Sequence, residues 1–131
     1  MFKEFMEYFV ENSYSGARLR IYREIPISEP KAVVHITHGM AEHAGRYAWF
    51  MQILKEAGYA VYAHDIRGHG YTYAYNSSKG HFCDKNGLDK ILHDLDFSID
   101  LIKKNHPNIP IYCFGHSLGS ILLLRYATSS Y

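Results

Sequence analysis

Cysteine is scarce in this chain of 131 residues: it holds two, Cys83 and Cys113. Two thiols cannot build the framework that staples small secreted domains, so a reducing cytoplasm is the expected compartment. A surplus of charge is lacking as well. The 14 Lys and Arg nearly cancel the 13 Asp and Glu, leaving a net charge of +1 and no electrostatic footing for nucleic acid. No apolar run approaches the roughly 18 residues that a membrane span needs. The opening Met1-Phe2-Lys3-Glu4-Phe5-Met6-Glu7 interleaves charge with apolar residues, where a signal peptide would carry a continuous apolar core. Internal repeats, low-complexity tracts and linkers are missing too. Tyrosine, in contrast, is abundant at 12 copies, which suits strands and half-apolar surfaces. With 47% hydrophobic and 21% charged residues, the composition is that of one globular domain with one core.

Hydrophobic periodicity divides the chain into two parts. In residues 1–30, the runs Glu7 to Val10 and Arg18 to Ile25 predict two strands joined by a turn at Asn12-Ser13-Tyr14-Ser15-Gly16. Pro26 and Pro30 close that antiparallel hairpin. Residues 31–131 alternate strand and helix patterns. Ala32 to Thr37 and Tyr59 to His64 are short, nearly continuous apolar runs, as in strands buried on both faces. Between them, Tyr47, Phe50, Met51 and Leu54 mark one face of a helix over Gly45 to Ala57, stopped by Gly58. Leu88, Ile91, Leu92, Leu95, Ile99 and Ile102 mark a second helix, ended by Asn105-His106-Pro107. A last strand, Ile109 to Phe114, precedes a helical run from Ile121 to Thr128. Alternation of this kind implies an α/β fold: a mostly parallel sheet with helices on its faces.

Between the last strand and the last helix lies Gly115-His116-Ser117-Leu118-Gly119, a G-x-S-x-G pentapeptide. A serine on so sharp a strand-to-helix turn is thrust out of the backbone, and the flanking glycines remove side chains that would collide there. Ser117 is therefore the candidate nucleophile. The backbone N–H of Leu118, at the following helix N-terminus, is suited to stabilise a developing oxyanion.

Taken with two further landmarks, this pentapeptide resembles the α/β-hydrolases, and within them the monoacylglycerol lipase and lysophospholipase branch, which is also similar to the serine aminopeptidases. His38-Gly39-Met40-Ala41-Glu42-His43-Ala44-Gly45-Arg46-Tyr47 resembles that branch's HGxGEHxGRY loop, and Asp65-Ile66-Arg67-Gly68-His69-Gly70 its DxRGHG turn. The resemblance implies a second oxyanion donor at the backbone of Met40. It also implies hydrolysis of a lipid or other carboxylic ester, with no cofactor and no metal. His38, Gly39, Gly115, Gly119, Asp65 and Arg67 are then structural supports of the site, and Glu42 and Arg46 organise the oxyanion loop. Ala41 replaces a usual glycine, Thr72 stands where serine commonly follows the turn, and Ser120 follows the pentapeptide where glycine is frequent. In this family the triad acid and base follow the nucleophile, yet no Asp, Glu or His follows Ser117. The expectation is thus the N-terminal portion of an α/β-hydrolase, truncated after the nucleophile turn and awaiting a completing C-terminal segment or chain. A non-catalytic interaction module is the competing reading.

Other groupings carry less. His116 adjoins Ser117, but neighbours around a tight turn point apart, which argues against it as the base. His38, His43, His64, Asp65 and His69 could gather at strand ends, though their spacing matches no standard metal site. Tyr71-Thr72-Tyr73-Ala74-Tyr75 reads as an exposed aromatic loop, with a lipid-facing surface or transient membrane contact as the alternative. Cys113 is expected to be buried, and so an inert thiol.

Overall fold

A computed structural model describes residues 6–129. The hairpin forms as β1 (Glu7–Asn12) and β2 (Arg18–Glu24), and its turn is closed by the Ser13 N–H donating to the Ala17 carbonyl at 2.8 Å. There follow β3 (Val33–Thr37), a 3-10 turn (Ala44–Tyr47) running into α1 (Ala48–Glu56), β4 (Ala60–His64), α2 (Gly87–Asn105), β5 (Ile111–Gly115) and α3 (Leu118–Ala127). The five strands lie in the order β1-β2-β4-β3-β5. β1, β2 and β4 pair antiparallel, while β3 pairs parallel with β4 on one side and β5 on the other.

The period-two alternation of the strands feeds two cores. Leu19, Ile21, Val33, Ala60 and Tyr62 point to one face, against Leu95, Ile99 and Ile102 of α2. Tyr22, Ile36, Val61 and Ala63 point to the other, against Met51 of α1. A third cluster, Ile66, Ile91 and Leu122, joins the chain after β4 to α2 and α3. None of the described helices is long and apolar enough to cross a membrane.

One expectation is corrected. β5 is an edge strand, so Cys113 is exposed rather than buried. The thiol nevertheless titrates above its ordinary range, because the atoms around it withdraw solvent and disfavour the thiolate. Exposure extends beyond this residue: Tyr112 is 60% exposed, and Ile121 and Leu124 of α3 are 63% and 69% exposed.

β3 lies between β4 and β5, so the loop after it and the turn after β5 leave the sheet side by side. The His116 N–H donates to the Thr37 carbonyl at 3.2 Å, extending the ladder into the turn. α3 then crosses the end of β3 so closely that a Cβ on Gly119 would overlap the Thr37 carbonyl oxygen and lie 2.7 Å from that of His38. A Cβ on Gly115 would lie 2.7 Å from the carbonyl carbon of Gly119. Backbone cannot yield as a flexible side chain does. Gly119→Ala should therefore destabilise the fold by about 3 kcal/mol, read as a lower urea midpoint, whereas Ser120→Ala on the same turn should change the midpoint far less.

Candidate active site

Ser117 sits at φ 54° and ψ −116°, a backbone conformation that L-residues avoid. The turn around it is held by the Gly119 N–H donating to the His116 carbonyl at 2.9 Å, and by the Ser120 hydroxyl donating to the Ser117 carbonyl at 2.6 Å. The Ser117 side is exposed, and Leu118 is the first residue of α3. Because β3 and β5 are neighbours, the Gly39–Met40 segment comes close to this turn. A Cβ on Gly39 would lie 3.1 Å from the His116 carbonyl oxygen.

His38 is completely buried and both of its ring nitrogens are used. Nε2 accepts the Ile66 N–H at 2.9 Å, which leaves Nδ1 as the protonated nitrogen donating to the Gly39 carbonyl at 2.7 Å. The ring is therefore a neutral strut between the β3 and β4 loops, and burial lowers its pKa. Asp65, also completely buried, accepts the Ala44 N–H at Oδ1 and the Tyr71 N–H at Oδ2, both at 2.9 Å, with the Tyr22 hydroxyl at 3.4 Å. Burial and then the nearby Asp65 charge push the Tyr22 phenol up to about 12. Gly70 is required here, since a Cβ would run into the Asp65 carboxylate, and φ is +52°.

Arg67 does not pair with Asp65. Its Nε donates to Asp94 Oδ2 on α2 at 3.0 Å, and a terminal nitrogen donates to the Ser15 hydroxyl oxygen at 2.7 Å. Ser13 and Ser15 both donate to Asp94 Oδ1 at 2.6 Å, so this buried pair locks the hairpin turn onto α2. Thr72 fills the serine position without loss. Its hydroxyl donates to the Asp65 carbonyl at 2.6 Å and accepts the Arg20 N–H at 3.0 Å.

Glu42 is the feature that sequence pattern under-read. One oxygen, Oε2, accepts the Gly39 N–H, the Tyr47 hydroxyl at 2.7 Å and His116 Nδ1–H at 3.3 Å. His116 thus reaches towards the loop after β3. Its motif position marked Glu42 as organising that loop, but nothing in the spacing pointed to a partner 74 residues away.

Beside this loop opens a cleft of about 840 Å³, walled by Met40, Glu42, His69, Tyr71, Thr72 and Lys79 among others. Tyr71, Tyr73 and Tyr75 are all exposed. Among the described residues no cluster of three or more His, Cys, Asp or Glu could hold a metal ion. The gathered histidines serve the structure in pairs instead. His35 Nε2 lies 3.4 Å from His64 Nδ1, Thr37 Oγ1 lies 3.2 Å from His35 Nδ1, and Ser98 Oγ lies 2.9 Å from His64 Nδ1. His81 is exposed, while His106 is half-buried against the Tyr62 hydroxyl at 2.9 Å.

Both the sequence and the fold are matched by known proteins. Residues 28–131 fit the family described as serine aminopeptidase, S33. The chain belongs to that α/β-hydrolase family. It is 34% identical over 119 residues to a monoacylglycerol lipase of Mycolicibacterium smegmatis, covering 88% of this chain and 40% of the relative. Against monoglyceride lipase of Rattus norvegicus it is 33% identical over 97 residues, covering 74% and 30%. A lipase solved in its open form superimposes with a TM-score of 0.81 at 26% identity, covering 96% of this chain and 41% of that one. The chain thus spans 30% to 40% of the length of these curated relatives.

Two outcomes follow from the site's geometry. Ala41 adopts φ 61°, where a Cβ costs about 1 kcal/mol, so Ala41→Gly should stabilise the fold by up to about 0.5 kcal/mol once chain entropy is subtracted, read as a higher urea midpoint. The second concerns acid. Burial lowers the pKa of His64 to about 4 and holds His35 well below its usual range, with the His64 charge adding to the latter. Below pH 6.5 the unfolded chain takes up protons that these folded rings refuse. Stability should therefore fall as pH drops from 6.5 to 5, by about 1.4 kcal/mol per pH unit for each ring. Urea titrations across that range should lose one such share in His35→Asn.

Proposed function

We propose that this chain carries the nucleophile half of a serine hydrolase acting on carboxylic esters, of the monoacylglycerol or lysophospholipid class. The single observation that carries the reading is the exposed Ser117 held at φ 54° beside the Gly39–Met40 loop. In this reading Ser117 Oγ attacks the ester carbonyl. The N–H groups of Met40 and Leu118 receive the developing oxyanion, each donor lowering the barrier by about 3 kcal/mol. A histidine takes the serine proton and an acidic residue orients that histidine. Neither is available after Ser117 within residues 1–131, so the proposal assigns both to a completing segment or chain. His116 is a poor substitute: among the described residues its ring hydrogen-bonds to Glu42 and not to Ser117. Resemblance to lipases supports the lipid ester, and the largely apolar lining of the 840 Å³ cleft suits its hydrocarbon portion.

A second reading, a non-catalytic interaction module, draws on the exposed Tyr112 of the β5 edge and the exposed Ile121 and Leu124 of α3. Hydrolysis of monoacylglycerol separates the two. Residues 1–131 alone should give little or no turnover, and addition of a C-terminal half from a similar lipase should restore it. Ser117→Ala should then remove at least about a thousandfold in kcat. Binding of that half without any hydrolysis would favour the interaction module.

A further inference from the structure

The oxyanion stabilisation proposed above needs two N–H groups from segments far apart in sequence to converge within a few tenths of an ångström. The sheet alone sets only where those segments start. β3 ends at Thr37 and β5 at Gly115, the ladder runs on only to the His116 N–H bond to the Thr37 carbonyl, and the donors lie beyond it. Some further tie has to fix one loop against the other. Glu42 Oε2 is placed to do so. It accepts the N–H of Gly39, the residue before Met40, and Nδ1–H of His116, two residues before Leu118. The Tyr47 hydroxyl, donating to the same oxygen at 2.7 Å, anchors the carboxylate to the start of α1.

We propose that Glu42 is a positioning residue for the serine chemistry: its carboxylate clamps the loop carrying the Met40 N–H to the turn carrying Ser117 and the Leu118 N–H. The inference rests on the ester-hydrolase reading and adds to it a residue outside the triad. Three further observations support the clamp. The Glu42 side chain is only 12% exposed, though it lies at the surface end of the sheet. A Cβ at Gly39 would lie 2.9 Å from Oε2 and 3.1 Å from the His116 carbonyl oxygen, so the residue at 39 has to be glycine for the carboxylate and the turn to approach together. Burial by itself would raise the Glu42 pKa, but the donors from Tyr47, Gly39 and His116 outweigh it and hold the carboxyl below its usual range. The group therefore stays ionised, and the clamp closed, wherever an ester hydrolase of neutral pH would work.

The test has two parts, chosen so that failure of the clamp and failure of the serine reading can be told apart. In 15N–1H spectra of the chain, the Gly39 amide signal should move with pH around a midpoint below the ordinary glutamate range. Glu42→Gln should abolish that transition and leave any that arise from His38, Tyr47 and His116, the other titratable groups facing Glu42. A Gly39 signal that ignores pH, or titrates alike in both proteins, overturns the clamp without reference to activity. In the completed enzyme, Glu42→Gln should lower kcat by about tenfold or more with KM within about twofold, because misplacing a donor affects the transition state rather than substrate binding. Tyr47→Phe, which keeps the carboxylate and removes one of its donors, should fold normally, raise the midpoint seen at Gly39 and lower kcat by a smaller factor. Unchanged kcat in Glu42→Gln, or a loss confined to KM, overturns the positioning role. Hydrolysis that survives Ser117→Ala overturns the serine reading instead and leaves the Gly39 titration to decide the clamp.

Discussion

The arrangement at the C-terminal end of the sheet depends on one steric constraint: the backbone of α3 must pass over the end of β3 with nothing between them. Gly119 lies against the Thr37 and His38 carbonyls at a separation that excludes even a methyl group. Because that contact is made, the turn is compressed, and Ser117 has to take a positive φ. Because the turn is compressed, α3 starts at Leu118 with its first N–H groups beside the β3 loop instead of a turn further along. The strain at Ser117 and the placement of Leu118 are two consequences of the same approach, and the glycines at 115 and 119 are its precondition.

Strain of this kind persists only where the surroundings over-determine it, and here three carboxylates supply much of the determination. Asp65 collects donors from the 3-10 turn and the Tyr71 loop, Asp94 from the hairpin turn and Arg67, and Glu42 from the β3 loop and the elbow. Each joins segments that no strand pairing connects. A buried carboxylate is costly to desolvate and so tolerates few geometries in which it is fully satisfied. That selectivity is what a loop needs if its backbone N–H groups are to hold a fixed position. His38 plays the same part as a neutral group, since both ring nitrogens are committed to backbone.

Most of the element order was legible from periodicity, because strands buried on both faces and helices with one apolar face leave distinct patterns. The candidate serine was legible because its strand and helix flank it directly. What could not be read was anything requiring the order of strands across the sheet. Cys113 has the sequence of a buried strand residue, and only the placement of β5 at the edge exposes it. Arg67 and Asp65 are two residues apart and invite pairing. The guanidinium instead reaches Asp94, 27 residues on, because α2 packs across the end of β4. The His116–Glu42 contact spans 74 residues and exists only because β3 and β5 are neighbours. His35 and His64 meet for the same reason, on adjacent strands β3 and β4. Motif position marked the candidate residues; strand order decided what each one touches.

Strand order also links the chemistry to the surface. β5 presents unpaired backbone along one edge, flanked by exposed Tyr112 and Phe114, with Ile121 and Leu124 of α3 nearby. An apolar strand edge of this kind favours pairing with another strand. Ser117 lies two residues beyond the end of that strand, so a strand that pairs with β5 along its length delivers its own end next to the serine. In a parallel sheet that end is the one that carries functional loops. Under the proposed reading, covering the exposed edge and supplying the missing base are therefore a single event. The interaction-module reading has to treat them as unrelated, and leaves the strained serine and its three-way braced loop without a use.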